Sequence, residues 1–258
     1  MSYIHGTEPS EQQRLAELNR LTNAEFIAFL EVRPGQQVLE VGSGLGILAS
    51  SVADAAANVH VTGVEYAPAQ LDAAARHPRV RYIRGDAHHL EFPDATFDLV
   101  YVRYVLEHLQ YPDIALAEMR RVVRPGGHVA VCENDTSLVR LDPPCPTFDR
   151  VWATFQLYQA RLRGDSLIGR RLYRLCRSAG FTDITLSVQP EVHWHGSPAF
   201  APWVTNLVGN VESARAGLIA TGMAAPEIID AAVSELTSLL SNDTASATFA
   251  WNRARAVR

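Results

Sequence analysis

Two carboxylates and three glycines are the residues in this chain best suited to chemistry. Val38-Leu39-Glu40-Val41 is an apolar run broken by one acid, and it passes straight into Gly42-Ser43-Gly44-Leu45-Gly46. Glycine lets a backbone adopt positive φ and approach a ligand without a Cβ in the way. The alanine-rich stretch that follows, Ile47 to Ala57, reads as a helix. Its first N–H groups lack helical partners and face whatever lies over the loop. Glu65 closes a second apolar run, Val59 to Val64. An acid roughly 20 residues past such a loop can accept from ribose hydroxyls. The set is suited to a nucleoside-containing cofactor.

Spacing narrows the cofactor. A dinucleotide fingerprint needs its third glycine at position 47, which is Ile, and no P-loop Lys-Ser/Thr follows the glycines. Glu40 would repel a pyrophosphate but attract an ammonium. A molecule with an amino-acid end and a nucleoside end satisfies both conditions, and S-adenosylmethionine is such a molecule.

Other groups are candidates for acid–base work. Glu107 and His108 follow the fourth apolar run closely enough to face the same pocket. His193 and His195 flank Trp194, and in a strand they share a face. Histidine suits general-base chemistry near neutral pH. No third ligand stands at motif spacing, so no metal site is expected. Trp152, Phe155, Tyr158, Trp194, Phe200 and Trp203 concentrate outside the strand-rich region, as a lid over an apolar or aromatic substrate would.

The elements that must position these residues alternate. Val38–Val41, Val59–Val64, Val80–Arg84, Phe97–Arg103 and His128–Glu133 read as strands. Leu48–Ala57, Ala67–Ala75, Val105–Leu109 and Ile114–Val123 read as helices between them. Repeated β-α units predict a parallel sheet with helices on both faces. Beyond it come a stiff connector at Asp142-Pro143-Pro144-Cys145-Pro146 and helices over Phe148–Leu162 and Ser166–Ala179. A strand over Phe181–Val188 precedes an insert, Glu191–Asp243, with a helix near Pro226–Leu240. Ala247–Arg255 reads as the last strand, and Glu11–Leu30 as an amphipathic N-terminal helix.

Bulk properties exclude other classes. The 258 residues suffice for one α/β core, and the formal charge of −5 argues against a general nucleic-acid binder. Arg161, Arg163, Arg170, Arg171, Arg174 and Arg177 recur at helical spacing, as on a solvated face. Three cysteines without a CxxC suggest neither a disulfide frame nor zinc, which fits a cytoplasmic location. Residues Met1–Ser10 lack the apolar stretch of a signal peptide, and no apolar run reaches the ~20 residues of a membrane span.

In six segments the chain resembles the class I S-adenosylmethionine-dependent methyltransferases of the small-molecule, type 11-like group. They are Val38–Gly46, Gly63–Ala67, Arg84–Ala87, Phe92–Val100, Val105–Leu109 and Arg121–Gly127, in the family's order. They lie within roughly Gln36 to Glu133, under half the chain. The resemblance implies a Rossmann-like, seven-stranded, mostly parallel sheet with an antiparallel last strand, and a helical cap. It organises 1–258 as a single domain: an N-terminal helical cap at 1–30, a cofactor-binding core at 36–135, and substrate-cap elements at 144–163 and 191–243.

Residue by residue, the resemblance implies that Gly42, Ser43, Gly44 and Gly46 form the cofactor floor and that Glu40 reaches the amino group. Glu65 would accept from the ribose, Tyr66 would lie along the adenine, and Asp86 would accept from its amino group with Ala87 alongside. Arg103 and Tyr104 would border the sulfonium. Related carbon-alkylating enzymes sometimes use a glutamate at the place of Glu107. Because the N-terminal piece often folds over the cofactor, Tyr3 and His5 join the candidates. Asp142-Pro143-Pro144-Cys145 resembles a signature of nucleic-acid amino methyltransferases, but it follows the fifth strand rather than the fourth and lacks the aromatic residue.

The implied activity is methyl transfer from S-adenosylmethionine to a small, partly apolar acceptor of natural-product or lipid-like character, through oxygen, carbon or nitrogen. Glu107, His193, His195 and Tyr104 are the catalytic candidates. The alternatives are cofactor-dependent cyclisation or rearrangement without methyl transfer, and a non-catalytic binding protein. Partners would be a small molecule and neither nucleic acid nor membrane span; a homodimer stays open.

Overall fold

A computed structural model describes residue 19 and residues 22–258. Five strands pair in parallel in the order β3-β2-β1-β4-β5. They are β1 (Gln37–Val41), β2 (His60–Glu65), β3 (Val80–Arg84), β4 (Phe97–Arg103) and β5 (Val123–Glu133). Val38, Leu39, Val100 and Val102 are buried because helices cover both faces, which is why β1 and β4 read as near-continuous apolar runs. Each strand ends at the same edge of the sheet, and the loops there form the site.

β8 (Ser246–Val257) is the antiparallel strand. It pairs with β5 through residues 252–257 and with β6 (Arg140–Asp142) through residues 246–248. Its other edge pairs with β7 (Thr182–Trp194) along its whole length. The mostly parallel sheet with an antiparallel last strand is present, with eight strands where seven were expected. The extra strand, β6, has three residues, two of them charged, so it carries no apolar run.

The first helical layer contains α1 (residues 22–30), α2 (Ile47–Asp54), α5 (Pro146–Arg161), α7 (Phe200–Ala220) and α8 (Pro226–Ser238), which share one core with Phe249 and Trp251 of β8. The other face is covered by α4 (Pro112–Val122) and α6 (Leu172–Ser178). The short α3 (Pro68–Asp72) follows β2.

Three expectations are corrected here. β7 continues through Glu191–Trp194, so the insert after it begins later than position 191. Pro190 within it is tolerated because β7 is an edge strand, paired on one side only. The long helix α7, absent from the sequence reading, fills most of the insert, with Trp203, Val204, Leu207, Val211, Ala214 and Leu218 buried at helical spacing. The helix expected over Ser166–Ala179 is broken into a 3-10 turn (Ile168–Arg171) and α6. Gly169 explains the break: it donates to the Asn134 carbonyl at 2.7 Å, and a Cβ there would lie 2.7 Å from that oxygen. The expected Glu11–Leu30 helix is described only over 22–30, and the rest lies outside the described residues.

Candidate active site

The β1–α2 loop is built around backbone that side chains resist. Gly42, Gly44 and Gly46 have φ of +77°, +51° and +71°, in the left-handed region that favours glycine. The N–H groups of Gly42 and Ser43 donate to the Val64 carbonyl at 2.8 and 3.0 Å, which locks the loop to the end of β2. A Cβ on Gly42 would collide with Val105, whereas one on Gly44 would meet nothing within 4 Å. Gly44 therefore opens onto empty space.

Gly44 borders a cavity of about 540 Å³ whose lining includes Glu65, Tyr66, Asp86, Ala87, Trp203 and Trp251. The Glu65 carboxylate accepts from Gly44 N–H at 2.9 Å and Ala67 N–H at 2.8 Å. These bonds fix its orientation, and a carboxylate retains further lone pairs for a ligand. Asp86 Oδ1 accepts from the His88 N–H at 2.9 Å, and the His88 ring lies 2.7 Å from the same oxygen. Burial works against ionisation of Asp86, but the His88 bonds outweigh it and hold its pKa below the usual value.

Glu40 lies below the loop, 4% exposed, and its Oε2 has no hydrogen-bond partner. Burial pushes its pKa up to about 8 against the pull of Arg103. Ser43 Oγ and Gln70 Oε1, both buried on the cavity lining, also lack partners. Buried polar atoms are ordinarily satisfied. Three unsatisfied ones around a glycine loop that opens into a cavity fit a polar ligand with an ammonium and hydroxyls.

Arg103, at the end of β4, also lines the cavity. It donates to Asn19 Oδ1 at 2.6 Å, Asn23 Oδ1 at 2.8 Å and Thr22 Oγ1 at 3.2 Å, and so ties α1 across the sheet edge. Tyr104 follows with φ +58° and packs its ring 4.3 Å from Trp251. Burial holds the Tyr104 hydroxyl well above its ordinary pKa.

Glu107 is buried on the cavity wall within a 3-10 turn (Leu106–His108). Its Oε1 accepts from Asn134 Nδ2, and its Oε2 from Gln159 Nε2 at 3.4 Å. Glu133 anchors the turn from below, accepting from the N–H groups of Val105, Leu106 and Glu107 at 3.1, 2.8 and 3.2 Å. Burial, with the Glu107 charge nearby, pushes Glu133 up to about 8. His108 also lines the cavity.

The two histidines of the 193–195 pair part company. His193 is buried, its Nε2 3.6 Å from Glu191 Oε2 without a hydrogen bond, and it lines a separate cavity of about 190 Å³ behind Tyr104 and Trp251. His195 lies past the end of β7 and is exposed, away from both cavities. The strand ends at Trp194, so the shared face does not extend to position 195. Tyr3 and His5 lie outside the described residues.

Sequence reasoning did not find Gln70, Asn134, Asn206, Asn210, Phe249 or Trp251 on the cavity wall. Phe249 and Trp251 alternate on the last strand, which marks them as sharing a face but not what that face covers. Asn206 and Asn210 stand one turn apart on α7, a signal legible only once that helix is recognised.

A family model for a methyltransferase domain matches residues 39–131. An uncharacterized 37.1 kDa protein in transposon TN4556 of Streptomyces fradiae is 31% identical over 179 residues, 66% of this chain and 50% of that one. The ubiquinone/menaquinone biosynthesis C-methyltransferase UbiE of Cupriavidus pinatubonensis is 40% identical over 125 residues, 45% of this chain and 50% of that one. The chain thus spans about half the length of the curated relatives it matches. The phosphoethanolamine N-methyltransferase 2 of Haemonchus contortus, solved with S-adenosyl-L-methionine, superposes with a TM-score of 0.56 at 22% identity, covering 96% of this chain and 52% of that one. That likeness shows the fold. Residues 39–131 thus match a methyltransferase domain, and the strand order agrees with the fold of that solved structure. Among the described residues no helix is long and apolar enough to cross a membrane.

Proposed function

We propose that the chain transfers a methyl group from S-adenosylmethionine to a small, partly apolar acceptor. One observation carries the reading: a single cavity joins the glycine loop to a chamber walled by Trp152, Phe155, Trp203, Phe249 and Trp251. The cofactor, when bound, supplies a methyl already activated on a cationic sulfur. The protein's task is then placement and exclusion of water.

In this reading Gly42, Ser43, Gly44 and Gly46 floor the cofactor and Glu40 meets its ammonium. Glu65 accepts from the ribose hydroxyls, Tyr66 lies along the adenine, and Asp86 accepts from the adenine amino group with Ala87 beside it. Arg103 and Tyr104 border the sulfonium. Glu107, fixed by Asn134 and Gln159 and facing the chamber, is the candidate base. His193 is cut off from the chamber by Tyr104 and Trp251, and exposed His195 has no part. The cap comprises α1, α5, α7 and α8, folded with the core as a single domain. The quinone C-methyltransferase relatives, matched over 45% of this chain, support a small-molecule acceptor.

Isothermal titration with S-adenosylmethionine and S-adenosylhomocysteine tests the first step. The reading requires one site for each; no heat and no thermal shift at millimolar ligand would remove it.

A further inference from the structure

Arg103 is a cation without an anion. Its guanidinium lines the large cavity at the end of β4. Its hydrogen bonds go to Asn19, Asn23 and Thr22, all through neutral oxygens. Its other neighbours are the rings of Phe26 and Tyr104, 5.2 and 5.1 Å from the guanidinium carbon. Arg79, Arg121, Arg170 and Arg215 are each paired with a carboxylate. Among the described residues no carboxylate lies within ion-pair distance of Arg103. A guanidinium has more donors than these three bonds use, and it keeps its charge at any physiological pH.

The fold sets this cation beside a particular acid. β1 and β4 pair in parallel with Glu40 next to Tyr101 and Val41 next to Val102. Gly42 and Arg103 leave those strands side by side, about 5 Å apart as neighbouring strands are. The Arg103 charge is near enough to pull the Glu40 pKa down against its burial. The two do not form an ion pair, and Glu40 Oε2 has no hydrogen-bond partner. One acid and one base, close but unjoined, therefore face the cavity beneath the glycine loop. An amino-acid end carries an ammonium and a carboxylate on one carbon and matches both.

Elsewhere the wall is hostile to a carboxylate. Glu65, Asp86 and Glu107 line it, and the other basic side chain, His108, lies 3.9 Å from Glu107. A bare guanidinium next to a sulfonium would also repel it, and a carboxylate between them removes that cost.

We infer that Arg103 receives the α-carboxylate of the cofactor, so that with Glu40 it selects an intact amino-acid end. The inference rests on the methyl-transfer reading and deepens it. Charge-assisted bonds to a carboxylate are about twice as strong as neutral ones. The three bonds to the α1 segment hold the guanidinium in place for that contact.

Three ligands test it by calorimetry at neutral pH: S-adenosylhomocysteine, its decarboxylated analogue, and methylthioadenosine, which lacks both charged groups. The wild-type chain should bind S-adenosylhomocysteine at least tenfold tighter than the decarboxylated analogue. Arg103→Gln should weaken S-adenosylhomocysteine at least tenfold and the analogue no more than twofold. Arg103→Lys, which keeps the charge, should bind S-adenosylhomocysteine more tightly than Arg103→Gln does. Asn23→Ala, which loosens α1 but spares the charge, should leave the ratio of the two ligands unchanged. Thermal melting shows whether each variant is folded, and the wild-type ratio decides without any variant. Equal binding of the two ligands by the wild type would overturn the inference. So would a preference that survives Arg103→Gln, as it would if backbone N–H groups of the loop held the carboxylate. Parallel weakening of both ligands in that variant would reduce Arg103 to a structural role. If none of the three ligands binds, the methyl-transfer reading falls and the inference with it; if they bind with no regard to the carboxylate, the inference alone falls.

Discussion

Gly44→Ala separates the fold from the site. Its Cβ would meet no atom within 4 Å, so packing is undisturbed. The cost comes from φ +51°, where an L side chain is disfavoured by about 1–2 kcal/mol. For a domain of this size each kcal/mol shifts Tm by roughly 2–4 °C, so a fall of about 2–8 °C is expected. The methyl would project into the cavity where the cofactor is placed. Displacing the ligand by about one carbon radius should forfeit roughly 1.4–3 kcal/mol, or about 10- to 100-fold in Kd. Gly42→Ala is the contrast. It shares the positive φ and also collides with Val105, which adds roughly 1–3 kcal/mol of overpacking. Differential scanning calorimetry and titration with S-adenosylhomocysteine read both variants. Wild-type affinity in Gly44→Ala would refute the assignment of the loop as the cofactor floor. Equal stability of the two variants would refute the packing argument.

Other predictions concern the acids and the arginine. Glu65→Gln should stay folded yet bind S-adenosylhomocysteine at least tenfold more weakly, since each charge-assisted bond contributes about 1.5–3 kcal/mol; titration reads it. Glu40 has a folded pKa of about 8 against 4.5 ordinarily, so the folded state keeps a proton that the unfolded state loses. The stability this confers is present below about 4.5 and declines as pH rises to about 8. An arriving ammonium should expel that proton, so binding should tighten as pH approaches 8 and release protons detectable by calorimetry in buffers of different ionisation enthalpy. Glu40→Gln should abolish both effects. Arg103→Ala removes three bonds to the α1 segment and should speed amide exchange over residues 22–30, measured by mass spectrometry, while β1 and β4 keep their protection.

Local signals made the core legible. Val80–Arg84 and Phe97–Arg103 form strands at the bounds the sequence suggests: Phe97–Arg103 is an apolar run in the covered centre of the sheet, and Val80–Arg84, an edge strand, interleaves apolar and basic residues. The glycine loop and Glu65 were readable for the same reason: their chemistry lies within one β-α-β unit. The chamber was legible in part: Trp152, Phe155 and Trp203 line it as the sequence suggests, whereas Trp194 is exposed and Phe249 and Trp251 were not foreseen. Its walls come from α5, α7 and β8, far apart in sequence, and no spacing rule links Trp152 to Trp251. Helix α7 was hidden by low contrast: its sequence carries Pro202, Gly209 and Gly217, which ordinarily disfavour helix, and alanines and valines fall on several faces, so its apolar stripe stands out weakly. Gly217 packs under Tyr158 of α5, a reason for glycine that only the tertiary fold supplies. His193 shows the limit of period-2 reasoning: alternation assigned its face, but not the cavity behind that face.

The central claim is that Glu65 and the glycine loop grip an adenosyl group so that its sulfur points toward the aromatic chamber. A crystal structure with S-adenosylhomocysteine tests it most directly. Both ribose hydroxyls should lie about 3 Å from the Glu65 oxygens, with the sulfur between Tyr104 and the chamber. A ligand bound elsewhere, or a ribose far from Glu65, would contradict it.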